Sequence, residues 1–216
     1  MFKTFFIACV VVTAGLCPAV ATSGGLGTIL DRSRFPAELI IIRGDLDRLM
    51  TQSLLSRLER QGLQGRIQSA LSGLLWLSQE YETLTKHVVD ETLISNAQSL
   101  WRDGKLDDLR QLVAQATDFY TLNLEIFKAS RASKEDMERV SQIDTTLCQG
   151  CHVLSPGSPL ILPAYRLKDF ASTMSAHEFL ARLLSGIKGS GETTLANPLT
   201  LGDVRGFMRL YRPSLD

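Results

Sequence analysis

The stretch Phe35-Pro36-Ala37-Glu38-Leu39-Ile40-Ile41-Ile42-Arg43-Gly44-Asp45-Leu46-Asp47-Arg48-Leu49 decides the fold class of this 216-residue chain. Leu39, Ile42, Leu46 and Leu49 recur at steps of three and four, and Leu54 and Leu58 carry the stripe on. That is the period of one helix face, not the alternation of a strand. Proline is tolerated in a first helical turn, so a helix is expected to begin near Phe35-Pro36 and to break at Gly62 and Gly65. A second helix is expected to turn Ile67, Leu71, Leu74, Tyr81 and Leu84 inward. A third, Leu93 to Trp101, stops at the turn signal Asp103-Gly104. A fourth runs from Leu106 through Leu109, Leu112, Val113, Ala116, Phe119 and Tyr120 to about Phe127. No proline stands between Pro36 and Pro156, and alternating patterns are absent. The expectation is an all-α chain in which residues 35–130 are helices packed on helices.

Upstream of this region lie two segments of another character. Lys3 precedes an almost unbroken apolar run from Phe5 to Leu16, then Pro18 and the small-x-small triplet Ala19-Val20-Ala21. This is the layout of a secretory signal peptide, too short for a permanent membrane anchor. Residues 1–21 are therefore expected to be removed on export to the periplasm, and residues 22–34, rich in glycine at their start, to form a flexible leader. Loss of the signal removes Lys3 from 23 basic residues and Cys9 and Cys17 from four cysteines. The mature chain then has 22 basic against 23 acidic residues, a formal charge of −1, and only Cys148 and Cys151. Nucleic-acid binding, which needs a basic surface, finds no support. No later apolar segment is long enough to span a bilayer, since Leu39-Ile40-Ile41-Ile42 is stopped by Arg43.

Downstream, Ser133 and Asp136 form a capping pair for a helix running through Met137, Val140 and Ile143. The composition shift near Ala129 to Ser133 places the boundary of a second unit, 131–216. Its helix leads into Cys148-Gln149-Gly150-Cys151-His152. Cysteines at i and i+3 in a helical turn point the same way, so both thiols can add to the two vinyl groups on one porphyrin edge. A histidine at i+4 then lies under the iron and can coordinate it through Nε2. A structural zinc site would need two more ligands, and His87 and His177 are distant and singly spaced. A thioredoxin-like pair would need a preceding strand. A disulfide would close a small strained ring and leave His152 without a role. The expectation is one covalently attached haem c, with Cys148 and Cys151 as attachment points and His152 as proximal iron ligand.

The motif resembles the c-type cytochromes as a class, and the segment from about Ser133 to Pro213 resembles class I cytochromes c. His177 to Ile187 is similar to their helix leading to the distal loop. Leu201 to Tyr211 is similar to their C-terminal helix with its late aromatic. Where those proteins usually place a glycine and an aromatic before the motif, this chain has Val140 and Asp144. The resemblance implies a class I cytochrome c-like haem domain that passes single electrons between redox partner proteins, behind a helical N-terminal region. The four-helix cytochromes c′ are the structural rival, but those bundles end soon after the motif.

The loop Lys188 to Thr200, where the resemblance implies a distal methionine, contains none. Met174, in a short segment that could reach the iron, His177, which shares a spacing with Leu180, Leu184 and Ile187, and Asn197 are the distal candidates. An empty site is the other possibility. Met208 sits at a core spacing with Val204 and Tyr211. A carrier of electrons, a haem-based gas or redox sensor with an open distal site, and a redox subunit of a larger enzyme remain distinct readings. Catalysis by the chain alone has no motif behind it.

Overall fold

The computed structural model describes residues 26–152, 166–186 and 199–212. Every regular element among them is helical, as the periodicity requires. No described helix is long and apolar enough to cross a membrane.

Helix α1 spans Leu26–Thr51, α2 Arg57–Thr85, α3 Glu91–Arg102 and α4 Leu106–Phe119. Three boundaries differ from the sequence expectation, two of them in α1 and α2. First, α1 starts at Leu26 and carries Pro36 in its interior, so residues 26–34 of the expected leader are helical. A proline there removes one backbone hydrogen bond and costs about 3 kcal/mol. Ile29, Leu30 and Ile40, packed against one core, and Phe35 and Leu39, buried in another, offset it. Second, α2 runs straight through Gly62 and Gly65. Each glycine costs about 1 kcal/mol relative to alanine, but Leu63, buried between them, and Ile67, Ala70, Leu71, Leu74 and Leu77, buried beyond them, hold the helix down. The break falls instead at residues 52–56, where Leu54 is 96% exposed and Ser56 and Glu59 close a capping box. Gly104 ends the α3 turn with φ +69°, a conformation that favours glycine.

The first core is built by α1 to α4. Phe35, Leu39, Ile42, Leu46 and Leu49 of α1 meet Ile67, Leu71 and Leu74 of α2, Ile94 of α3 and Leu109 and Val113 of α4. The apolar stripe of the opening segment thus faces this core, although Leu58 lies exposed beyond its end.

α1 also has a second apolar face. Ala37 and Ile41 join a separate core with Leu122, Phe127, Ala171, Met174, Phe179, Leu180, Leu184, Val204 and Met208. Those partners come from the 3₁₀ turns Leu124–Phe127 and Ala129–Arg131 with their flanks, and from α7 (Leu167–Thr173), α8 (Ala176–Ser185) and α9 (Leu201–Tyr211). The chain between Tyr120 and Lys134 is not a continuation of α4, which ends at Phe119 with that ring exposed while Tyr120 turns inward.

At the edge of the two apolar faces, α1 carries Asp45, only 1% exposed. Arg66 of α2 donates to it from Nε (3.0 Å) and Nη2 (2.9 Å), and Arg182 of α8 from Nη2 (2.7 Å). Glu178 of α8 accepts from Arg48 (2.6 Å) and Arg182 (2.7 Å). A Cβ at Gly44 would collide with the Glu178 carboxylate, so glycine lets α8 approach α1 here. The Phe170 ring lies beneath both Arg48 and Arg182, 5.7 and 5.5 Å from the guanidinium carbons. Burial alone pushes the Asp45 carboxyl up, but the hydrogen bonds and charges of Arg66 and Arg182 outweigh it and hold the group below its ordinary 3.8.

Removing Asp45 would take the shared buried anion from Arg66 and Arg182, and from Arg48, which approaches it at 3.5 Å. Asp45→Ala should lose about 3–5 kcal/mol in urea unfolding, the usual cost of breaking a buried pair from one side. The native pKa lies below the unfolded one, so the wild-type contribution is intact above the ordinary carboxylate range and is lost as pH falls through the native value. The variant should show a shallower fall in stability on acidification.

Candidate functional site

The helix that delivers Cys148 to His152 starts at a well-made cap. Ser133 Oγ accepts from the Asp136 amide (3.0 Å), and the Ser133 amide donates to Asp136 Oδ2 (2.9 Å). From there α5 (Lys134–Ile143) passes without interruption into a π turn, Asp144–Cys148, and then into α6, Gln149–His152. The π turn has its signature bond, with the Gln149 amide donating to the Asp144 carbonyl five residues back. Such turns recur at functional sites, because the extra residue re-aims the side chains that follow. Helical spacing puts positions 148, 151 and 152 on one side of the turn. Cys148 and His152 are both half-buried.

α9 crosses α5 and fixes the approach to the motif. A Cβ on Gly206 would lie 2.6 Å from Val140 Cγ2 and 3.2 Å from the Asp136 carbonyl oxygen. A Cβ on Gly202 would strike the Asp136 carboxylate. The resemblance places a glycine on the helix before the motif; here the small residues stand on the opposite helix, and fully buried Val140 fills the space they leave. Asp203, also fully buried, accepts from the Thr200 amide and hydroxyl (2.8 Å each) and from Arg139 Nε of α5 (2.7 Å). Arg205 and Arg209 donate to the carbonyls of Ile126 and Ala132.

At its C-terminal end α9 reaches the motif itself. Tyr211 Oη donates to Asp144 Oδ1 at 2.6 Å, and Gln149 Nε2 donates to Asp144 Oδ2 at 2.9 Å. Burial first, then the Asp144 hydrogen bond and charge and the nearby Cys148, push the Tyr211 phenol well above its usual range. The Tyr211 ring stacks on Phe207 (centroids 6.2 Å apart) and meets Phe179 edge-on. The next residue, Arg212, donates from Nη1 to the carbonyls of Ala171 and Met174. Tyr211 and Arg212 therefore tie the motif turn to the end of α7. In the sequence, Tyr211 stands out as a late aromatic on the face of Val204 and Met208, and Asp144 as a departure from the class I pattern. The pairing of the two, and the part of Gln149, were not legible in one dimension.

The distal candidates are placed as follows. Met174 is 6% exposed and packed in the second core. It also borders a cleft of about 640 Å³ between α1, the end of α4 and the start of α8, lined in part by Arg43, Asp47, Asp118 and His177. His177 does not share the inward position of Leu180 and Leu184. Those two are buried, whereas His177 in the first turn of α8 is exposed beside the cleft, between buried Ala176 and half-buried Glu178. Asn197 lies outside the described residues. Met208 is buried in the second core, and His87 is exposed.

Two thiols and an imidazole at spacings of three and four, on an unbroken helix, form a donor set that fits covalent haem attachment with one axial ligand. No protein-family model, curated protein or solved structure matches the sequence.

The close crossing of α5 and α9 gives a direct test. Gly206→Leu should destabilise the protein by about 1–3 kcal/mol, the usual cost of overpacking a tight contact. Its thermal midpoint should fall, whereas Gly62→Ala, with nothing within 4 Å of the new methyl group, should hold or raise it.

Proposed function

We propose that this chain is an exported monohaem c-type cytochrome that passes single electrons between partner proteins. Cys148 and Cys151 would hold the haem through thioethers, and His152 would bind its iron. The observation that carries the reading is Cys-x-x-Cys-His on a helix that is continuous from Ser133 to the motif. A haem held there supplies a one-electron Fe(III)/Fe(II) couple. The remaining work falls to the chain. α5 and α9 hold the attachment turn, Tyr211 and Gln149 fix Asp144 beneath it, and Arg212 tethers the segment that carries Met174. Of the distal candidates, Met174 is the one that described contacts join to the motif, through Arg212 and the adjacent Tyr211. The signal-like segment, residues 1–21, supports periplasmic placement, where haem attachment of this kind takes place.

The test begins with attachment. In cells carrying a cytochrome c maturation system, the wild type should retain haem-peroxidase staining on a denaturing gel, and Cys148→Ala with Cys151→Ala should lose all of it. Unchanged staining in the double variant would overturn the assignment. Fractionation with N-terminal mass mapping should find a periplasmic chain beginning near Thr22.

The distal assignment has its own test. Met174→Ala would open a core cavity at a cost of about 2–5 kcal/mol. Met174→Leu conserves volume at a cost of under about 1.5 kcal/mol. The leucine variant should therefore stay folded while its ferrous haem turns high-spin and takes up carbon monoxide. A wild type that already binds carbon monoxide rapidly would favour gas sensing over electron transfer.

A further inference from the structure

Three aspartates are buried among the described residues, and two of them meet arginines. Asp45 is held by Arg66 and Arg182, and Asp203 by Arg139. The third, Asp144, is 7% exposed, and among the described residues no lysine or arginine forms an ion pair with it. Its oxygens are instead saturated by neutral donors, Tyr211 Oη on Oδ1 and Gln149 Nε2 on Oδ2. Two donors thus meet the carboxyl, one on each oxygen. Its backbone carbonyl is the acceptor that closes the π turn, one turn before Cys148.

A buried anion without a cation is costly to keep, and an asparagine or an apolar residue would fold more cheaply. The donors do not remove the charge; they fix it in place beside the motif. In a low-dielectric setting such a charge acts strongly on its neighbours. We propose that Asp144, held by Tyr211 and Gln149, is a positioning and charge-setting residue for the group bound at Cys148, Cys151 and His152. It orients the attachment turn through its carboxylate, which accepts from Gln149 Nε2 of the motif. It also stabilises the oxidised, more positive iron through its carboxylate and so lowers the reduction potential. This inference rests on the haem reading above.

The test compares holoproteins by redox titration with visible spectra. Asp144→Asn keeps an acceptor for Tyr211 and removes the charge, and the exposed Gln149 amide can turn over to meet the new donor. The midpoint potential should rise while the spectral type stays that of the wild type. Asp144→Ser serves the same purpose if the asparagine variant does not accumulate. Tyr211→Phe keeps the charge but loosens its hold, and should leave the potential at or below the wild-type value. An unchanged or lower potential in Asp144→Asn overturns the proposal. An equal rise in Asp144→Asn and Tyr211→Phe also overturns it, since general loosening would then explain both. A wild type without covalent haem removes the functional reading and this inference together, whereas a stained wild type with an insensitive potential removes the inference alone.

Discussion

The buried carboxylate of Asp45, shared by Arg66 and Arg182, ties α1, α2 and α8 to one point. α1 has apolar residues on two faces, and an amphipathic helix of that kind must be covered on both sides. α2 to α4 cover one face, and α7 to α9 with the 3₁₀ turns cover the other. A fully apolar junction could bury as much surface, but it would not fix the rotation of α8 against α1. Charged groups with directional hydrogen bonds do fix it, because any slippage strands a buried ion. Gly44 belongs to the same constraint, since the Glu178 carboxylate occupies the volume a side chain would need.

From that anchored α8 the packing passes to α9 and on to the motif. Phe179 of α8 meets the Tyr211 ring, and Tyr211 in turn meets Asp144. The α5–α9 crossing depends on glycines on α9 and on Val140 of α5, with Arg139 and Asp203 locking the pair at one side. Contacts on several sides hold the helix that leads to Cys148 in one position better than helix propensity can. The π turn is the one departure from regular helix along this path, and its extra residue lies where the motif begins.

Met174 and His177 border a cleft between α1, the end of α4 and the start of α8. Met174 has its side chain in the second core, one edge toward this cleft and its carbonyl held by Arg212. His177 is exposed beside it, between buried Ala176 and half-buried Glu178.

Much of the local structure was written in the sequence. The three- and four-residue steps from Leu39 to Leu49 gave an all-α chain, because side-chain period is a property of the backbone itself. Ser133 with Asp136, and Asp103-Gly104, marked helix ends through hydrogen bonds and φ values that involve near neighbours only. The Cys148-Gln149-Gly150-Cys151-His152 pattern is likewise local, a matter of five consecutive residues. What the tertiary structure decided involves residues far apart in the chain. It carried α1 back to Leu26 past Pro36, and α2 through Gly62 and Gly65, because core contacts made by the same helices outweighed local preference. It placed His177 on the open cleft and Met174 in the second core, because the packing of α8 against α1 decides which side chains of this stretch are covered. It joined Asp45 to Arg182, and Asp144 to Tyr211. No local pattern encodes those pairs: a buried charge finds its partners only once the helices bearing them have packed.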